Sequence, residues 1–313
     1  MEHFQPRIEF YRQRTFSEKM NVIFDFIREN WKPLVKYSFY LIMPVCLIQT
    51  FAMNSFFDLY FSALSKTVGN NPFGGSIAGF LSSYGVLLFC LLIGTALLTG
   101  LVFAMMQTYA VRENKLRDVT FDDFKDLMVK NAWKYLLLLF ALIFTYMLIA
   151  MMMGIIAALT SFLSFLITIP LVFGAALCLI PLMLTVPVYI FERDITLLDA
   201  IRKAWNLGIK TLGGMLGLMI VLYIIASVIQ TVTSLPWFAM LFSSMFFSLT
   251  SESALNQSAV YKFLFYFFGL IQTYGTYVSS IIGIIGLAFH YFHAREKFEG
   301  VTIESNISNF SSL

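Results

Sequence analysis

Fixed charge is scarce in this sequence: Asp, Glu, Lys and Arg make up only 12% of its 313 residues. A soluble domain uses roughly twice that share to cover its surface, so a water-soluble globular fold is excluded. Cysteine is scarcer, with three residues. Cys46, Cys90 and Cys178 all fall in apolar stretches and none lies in an outer loop, which excludes a disulfide-stapled secreted domain. The thiols read as small apolar fillers. Missing too are the patterns that carry chemistry: no Walker loop, GxSxG elbow, HExxH helix or Rossmann fingerprint occurs. The net charge of +3 is too small to argue for nucleic acid.

What the chain has in abundance is apolar. Hydrophobic residues are 59% of it, with 34 Phe and 16 Met, and the mean hydropathy is +0.78. A membrane-crossing helix needs about 20 such residues in a row. Six stretches meet that length: Tyr37–Phe57, Gly79–Phe103, Tyr135–Leu159, Leu163–Ile190, Gly213–Leu235 and Phe263–Phe289, none containing Asp, Glu, Lys or Arg. Barrel strands would be half as long and would alternate apolar with polar. The expected fold is therefore all-α: a polytopic bundle of six transmembrane helices in one integral membrane domain, 1–302, with a polar tail, 303–313. The second apolar stretch, Ile77 to Val111, exceeds one crossing and is expected to tilt or protrude. Between the third and fourth, Thr160, Ser161 and Phe162 leave room only for a tight hairpin.

Of the 21 Lys and Arg, only Lys66 and Lys262 fall on the side opposite the termini. The positive-inside rule then places both termini in the cytoplasm. The first 36 residues are polar and no A-x-A site follows the first span, so a cleavable signal peptide is not expected.

An internal repeat is legible. Thr15…Glu18, Thr120…Asp123 and Thr196…Asp199 share the spacing of a capping box, in which hydroxyl and carboxylate satisfy the free amides of a helix start. After each box the apolar residues keep helical spacing and a tryptophan closes the run: Trp31, Trp133, Trp205. Each unit also ends on an aromatic followed by paired charges, as in Tyr109–Glu113, Tyr189–Arg193 and Tyr291–Glu296. The repeat is an amphipathic helix, a span outward and a span back, over approximately 1–110, 111–191 and 192–297. Such helices lie in the headgroup plane, with the three tryptophans as interfacial anchors. They serve as elbows that hold the bundle at depth, or as binders of anionic lipid or a membrane-protein partner.

Other candidate sites are few. Ionisable residues mark ion paths through membranes, and the spans carry only His290, at the end of the sixth. His290 and His293 are three residues apart but have no third ligand nearby, so headgroup contact is expected over a metal. Asp118, Asp122, Asp123 and Asp126 interleave with Lys125 and read as a solvated face. Pro170, Pro181 and Pro187 in the fourth span predict kinks, which pack helices or build transporter sites. Gly269, Gln272, Thr276, Ser280 and Gly283 form a small, polar stripe on the sixth span, expected to pack closely. Gln230 on the fifth is its candidate partner, so that Gln230, Gln272, Thr276 and Ser280 make an intramembrane polar face. The apolar run from Trp237 to Phe247 is too short to span and reads as interfacial or re-entrant.

The threefold pattern, with the segment from Tyr189 to Trp205 at its centre, resembles the membrane domain fused to some glycerophosphodiester phosphodiesterases, and related stand-alone bacterial membrane proteins of unassigned function. The resemblance implies a bundle in the bacterial inner membrane. In that family hydrolysis belongs to a separate soluble domain, so no catalytic residue carries over. Neither cofactor nor metal is expected. The function expected is non-enzymatic: a scaffold, accessory subunit or lipid-interacting module. The alternative is a passive or lipid-type transporter with a path between spans four and six. The oligomeric state is not legible in the sequence.

Overall fold

The computed structural model describes residues 7–67, 77–112, 114–160, 174, 179–192, 194–249 and 258–302. Among these there is no strand. The helices are α1 (Phe16–Thr67), α2 (Ile77–Val111), α3 (Lys125–Thr160), the short α4 (Thr185–Phe191), α5 (Leu197–Lys210), α6 (Leu212–Leu249) and α7 (Ala259–Glu299), with a 3-10 turn at Phe121–Asp123. Five of them, α1, α2, α3, α6 and α7, are long and apolar enough to cross a membrane. Most of the fourth predicted span, its hairpin with the third and Pro170 lie outside the described residues. So do Cys178, the first outer loop at 68–76 and the tail.

The helices are longer than the apolar stretches that prompted them. In α1 the amphipathic and apolar halves form one run of 52 residues, bent at Asn30 (φ −115°, ψ 16°). The cause is local. Pro33 has no N–H and its ring crowds the carbonyl four residues back. The Asn30 side-chain amide donates to the Phe26 carbonyl at 2.9 Å, satisfying a group at the bend. The second amphipathic segment is not a separate element: α3 runs unbroken from Lys125 into its apolar stretch, because nothing there breaks a helix. Only in the third does a break separate the two. The Thr211 hydroxyl turns back to the Leu207 carbonyl at 2.8 Å, and α6 starts at the next residue.

The run from Trp237 to Phe247 is not a separate element. It is the continuation of α6, which passes through Pro236 and ends at Leu249. Trp237 is buried, with Leu241 and Phe265, against Met53, Phe57 and Phe268. That burial outweighs the one hydrogen bond a proline removes.

The chain divides into two compact units. The first comprises Met1–Trp31, Thr99–Leu222 and Ile282–Leu313. Its core is aromatic: Phe10 stacks on Tyr109 (5.8 Å) and Phe292 (5.0 Å) and meets Phe26 and Phe289 edge-on. Here α2 and α3 approach closely at Gly100, where a Cβ would lie 2.7 Å from the Met128 carbonyl oxygen. The second unit comprises Lys32–Leu98 and Tyr223–Ile281. It holds the Trp237 cluster and the free, buried thiols of Cys46 and Cys90. Gly275 lets α7 close on Thr233, and Gly94 makes room for the Tyr277 ring.

Candidate functional site

All three Thr-to-acid pairs close at helix starts. The Thr15 amide donates to Glu18 Oε2 at 2.7 Å and the Glu18 amide to Thr15 Oγ1 at 3.4 Å. The bonds from Thr15 hold the Glu18 carboxyl below its ordinary range. Thr120 donates to Asp123 from its amide (2.7 Å) and its hydroxyl (2.9 Å), and Arg112 pairs with the same carboxylate at 2.7 Å. At Thr196 the hydroxyl donates to Asp199 (2.6 Å) and accepts from the Asp199 amide (3.2 Å). The Thr120 pair opens the 3-10 turn rather than α3 itself.

Carboxylates in the first unit tie distant segments together. Glu29 on α1 accepts from the Tyr109 hydroxyl at 2.9 Å and pairs with Lys115. Glu192, just after α4, pairs with Lys203 (2.9 Å) on α5 and lies 3.5 Å from Arg295 on α7. Glu299 closes the ring, 3.0 Å from Lys203 and 2.7 Å from Arg295. Tyr291 adds a hydroxyl donor to Glu192 at 3.1 Å. These groups are largely buried and fully paired, the condition under which buried ions hold a structure together.

The three tryptophans occupy different settings. Trp133 is 69% exposed and Trp31 53%, while Trp205 is half-buried. The α5 helix explains the third. Its inward face is mostly small, with Ala200, Ala204 and Gly208 buried beside Leu207. At Gly208 a Cβ would lie 2.6 Å from Pro181 Cα, so no larger residue fits. The bulky apolar residues Leu198, Ile201, Trp205 and Ile209 take a neighbouring sector of the wheel, Leu198 and Ile209 being exposed. Asp199, Lys203, Asn206 and Lys210 take the third. The helix thus packs with its small side chains and Leu207, and leaves Leu198 and Ile209 exposed.

A second group of cations, Arg14 and Lys19, is buried without an ion pair among the described residues. Arg14 spends its guanidinium on the carbonyls of Phe10, Arg12 and Glu9. Burial, and then Arg12, hold it below its ordinary pKa. Lys19 is only 5% exposed and its side chain makes no hydrogen bond or ion pair among the described residues. Burial and the like charge of Lys297 hold its ammonium below the usual lysine range. His293 accepts the Arg14 amide on Nδ1 at 2.9 Å, which leaves its proton on Nε2. The His290 Nε2 lies 3.1 Å from the Thr211 hydroxyl, while its buried Nδ1 has no partner among the described residues. The His290 and His293 ring centres are 6.2 Å apart. No group of three His, Cys, Asp or Glu able to hold a metal occurs among the described residues.

The intramembrane polar face needs correction. Thr276 and Ser280 donate to carbonyls of their own helix, those of Gln272 and Tyr277, and Ser280 is exposed. No hydrogen bond joins Gln230 to Gln272 among the described residues; the Gln272 side chain accepts from Thr273 instead. The buried face of α7 lies one residue over, at Thr273, Tyr277 and Ile281. Its cross-helix bonds are Thr50 to Thr273 (3.2 Å), Tyr277 to Gln49 (2.7 Å) and Ser38 with Tyr274 (3.2 Å). Tyrosines were the signal to follow: a hydroxyl on a long rigid ring reaches a neighbouring helix, whereas Ser and Thr find an i−4 carbonyl first.

These features define a class: among the described residues, a helical protein with five helices of membrane-crossing length and a unit that holds most of the charged residues. Compared with protein-family models, curated proteins and solved structures, the chain matches none.

Proposed function

We propose that the chain is a non-enzymatic, multi-pass protein of the bacterial inner membrane, with both termini in the cytoplasm, that acts through contact with lipid. The observation that carries this is α5. A helix in a water-soluble protein turns its bulky apolar residues inward, and this one leaves Leu198 and Ile209 exposed and Trp205 half-buried beside a charged sector. That division suits a helix lying in the headgroup plane with its large side chains in the acyl boundary. The outward indoles of Trp31 and Trp133 fit the same plane. So do the apolar flanks of α3, where Phe144 and Met147 are exposed. The resemblance of the Tyr189–Trp205 segment to membrane domains fused to hydrolases agrees with a supporting role rather than a chemical one.

The test is depth-resolved quenching in single-tryptophan variants of the full chain, reconstituted in phosphatidylcholine vesicles. Trp133 and Trp31 are expected to be quenched by lipids brominated near the headgroup and shielded from aqueous iodide, with buried Trp237 responding weakly to iodide. Strong iodide quenching of Trp133 without bromolipid quenching would refute the reading.

A further inference from the structure

Lys19 presents an unsolved electrostatic problem. An ammonium this deeply buried ordinarily lies against a carboxylate, because desolvation is otherwise uncompensated. Here its charged neighbour is another cation, Lys297. The surrounding groups add positive charge or donors. Arg14, Lys19 and Lys297 all bear on the His293 ring, whose Nδ1 is occupied by the Arg14 amide so that Nε2–H is free to donate. Lys19 and Lys297 come from opposite ends of the chain, on α1 and α7, and a third element completes the setting.

That element is the start of α6. Gly213 and Gly214 are both exposed there and carry no side chains. The place a Gly214 Cβ would occupy lies 3.8 Å from Lys19 Nζ and 4.0 Å from His290 Cε1, so the two converge on an open edge of the helix. The first amides of a helix have no intrahelical acceptor and carry the positive end of its dipole. Backbone N–H groups beside a glycine, an ammonium with no side-chain partner among the described residues and an imidazole N–H together make an anion cradle.

We propose that Lys19, Lys297 and His293, around the Gly213–Gly214 start of α6, bind a phosphate-bearing anion, which in this setting is the headgroup of an acidic phospholipid. The inference deepens the lipid-contact reading and rests on it. Phosphate supplies the negative charge that Lys19 lacks. The open glycine edge gives it entry.

The test uses the full chain in detergent and in nanodiscs. The probes are phosphatidylglycerol, phosphatidylcholine and inorganic phosphate, with the variants Lys19→Gln, Lys19→Arg, Gly214→Leu and, as an exposed cation elsewhere, Lys130→Gln. The chain is expected to retain phosphatidylglycerol over phosphatidylcholine in native mass spectrometry. Lys19→Gln should weaken that about tenfold, Lys19→Arg should recover most of it, and Lys130→Gln should leave it unchanged. Gly214→Leu fills the cradle without touching the cation, so its loss of phosphatidylglycerol supports the site even where Lys19→Gln fails to fold. Competition by inorganic phosphate at the same variants identifies the phosphate group as what is recognised; its absence with lipid binding intact assigns the whole headgroup. Equal loss in Lys19→Gln and Lys130→Gln, or no loss in Gly214→Leu, overturns the proposal. Retention of phosphatidylcholine and phosphatidylglycerol alike overturns this site but not the lipid-contact reading, whereas failure to retain either lipid sinks both.

Discussion

The two units solve one problem, joining helices far apart in sequence, with different chemistry. In the first, carboxylates do the joining: Glu29, Glu192 and Glu299 each accept from cations or hydroxyls on other segments, above a cage of stacked aromatics. In the second, neutral groups do it: Tyr277 to Gln49, Thr50 to Thr273 and Trp237 to Asn54. Of all the Lys, Arg, Asp and Glu, only Lys32, Lys36, Asp58, Lys66, Glu252 and Lys262 belong to the second unit. On the membrane-spanning reading, the difference follows from the cost of an ion in hydrocarbon. Where water or headgroups are near, a paired charge is a strong and directional tie; where they are not, an uncharged hydroxyl gives less but risks less.

The sharpest test of this contrast is steric. Gly100→Val drives a side chain into the α3 backbone at Met128 and Ala132, neither of which can swing aside. It should cost at least about 3 kcal/mol and abolish a monodisperse elution peak. Gly85→Val, on the same helix but with open space around it, should leave the thermal midpoint unchanged. Next comes Glu192→Gln, which strips Lys203 and Arg295 of a shared negative charge and puts an amide beside Tyr291. We expect a loss of about 2 kcal/mol by denaturant titration, tempered by the partial wetting of Lys203 and Glu299. Tyr277→Phe in the second unit removes the bonds to Gln49 and the Cys90 carbonyl. Its cost should be smaller, about 1 kcal/mol; a loss equal to that of Glu192→Gln would break the comparison. Smallest is the pH response of the exposed Asp123. Bonds from Thr120, and then Arg112, hold its carboxyl below the ordinary value. The unfolded chain therefore takes up the proton first. The stabilisation is present at neutral pH and is lost as pH falls from the ordinary carboxylate value through the lower folded one. Asp123→Asn should flatten that part of the stability profile, and hydrogen exchange at the Thr120 amide should report it.

Much of the fold was legible because hydrocarbon imposes simple rules. Runs without charge gave α1, α2, α3, α6 and α7, and the Thr15, Thr120 and Thr196 spacings marked local starts that depend on only four residues each. Element ends were less legible. The fifth span is expected to end at Leu235, just before Pro236, but burial of Trp237 carries α6 past it. The candidate polar face failed by a single residue of rotation, since small side chains at Thr276 and Ser280 satisfy themselves locally while Thr273 and Tyr277 face the neighbours. Lys19 was legible only as one cation among many: nothing in its local pattern reveals that residues near 214 and 297 enclose it. The aromatic cage was hidden for the same reason, as Phe10, Tyr109 and Phe292 share no period.

One further consequence lies in the inward face of α5. Because Gly208 touches the Pro181 backbone with no space for even a methyl, this helix cannot roll about its axis without lifting away from its support. Its indole is therefore held at a fixed elevation. On the proposed lipid-contact reading, a leaflet that thins or swells around the chain would load that glycine–proline contact mechanically instead of being absorbed by rotation.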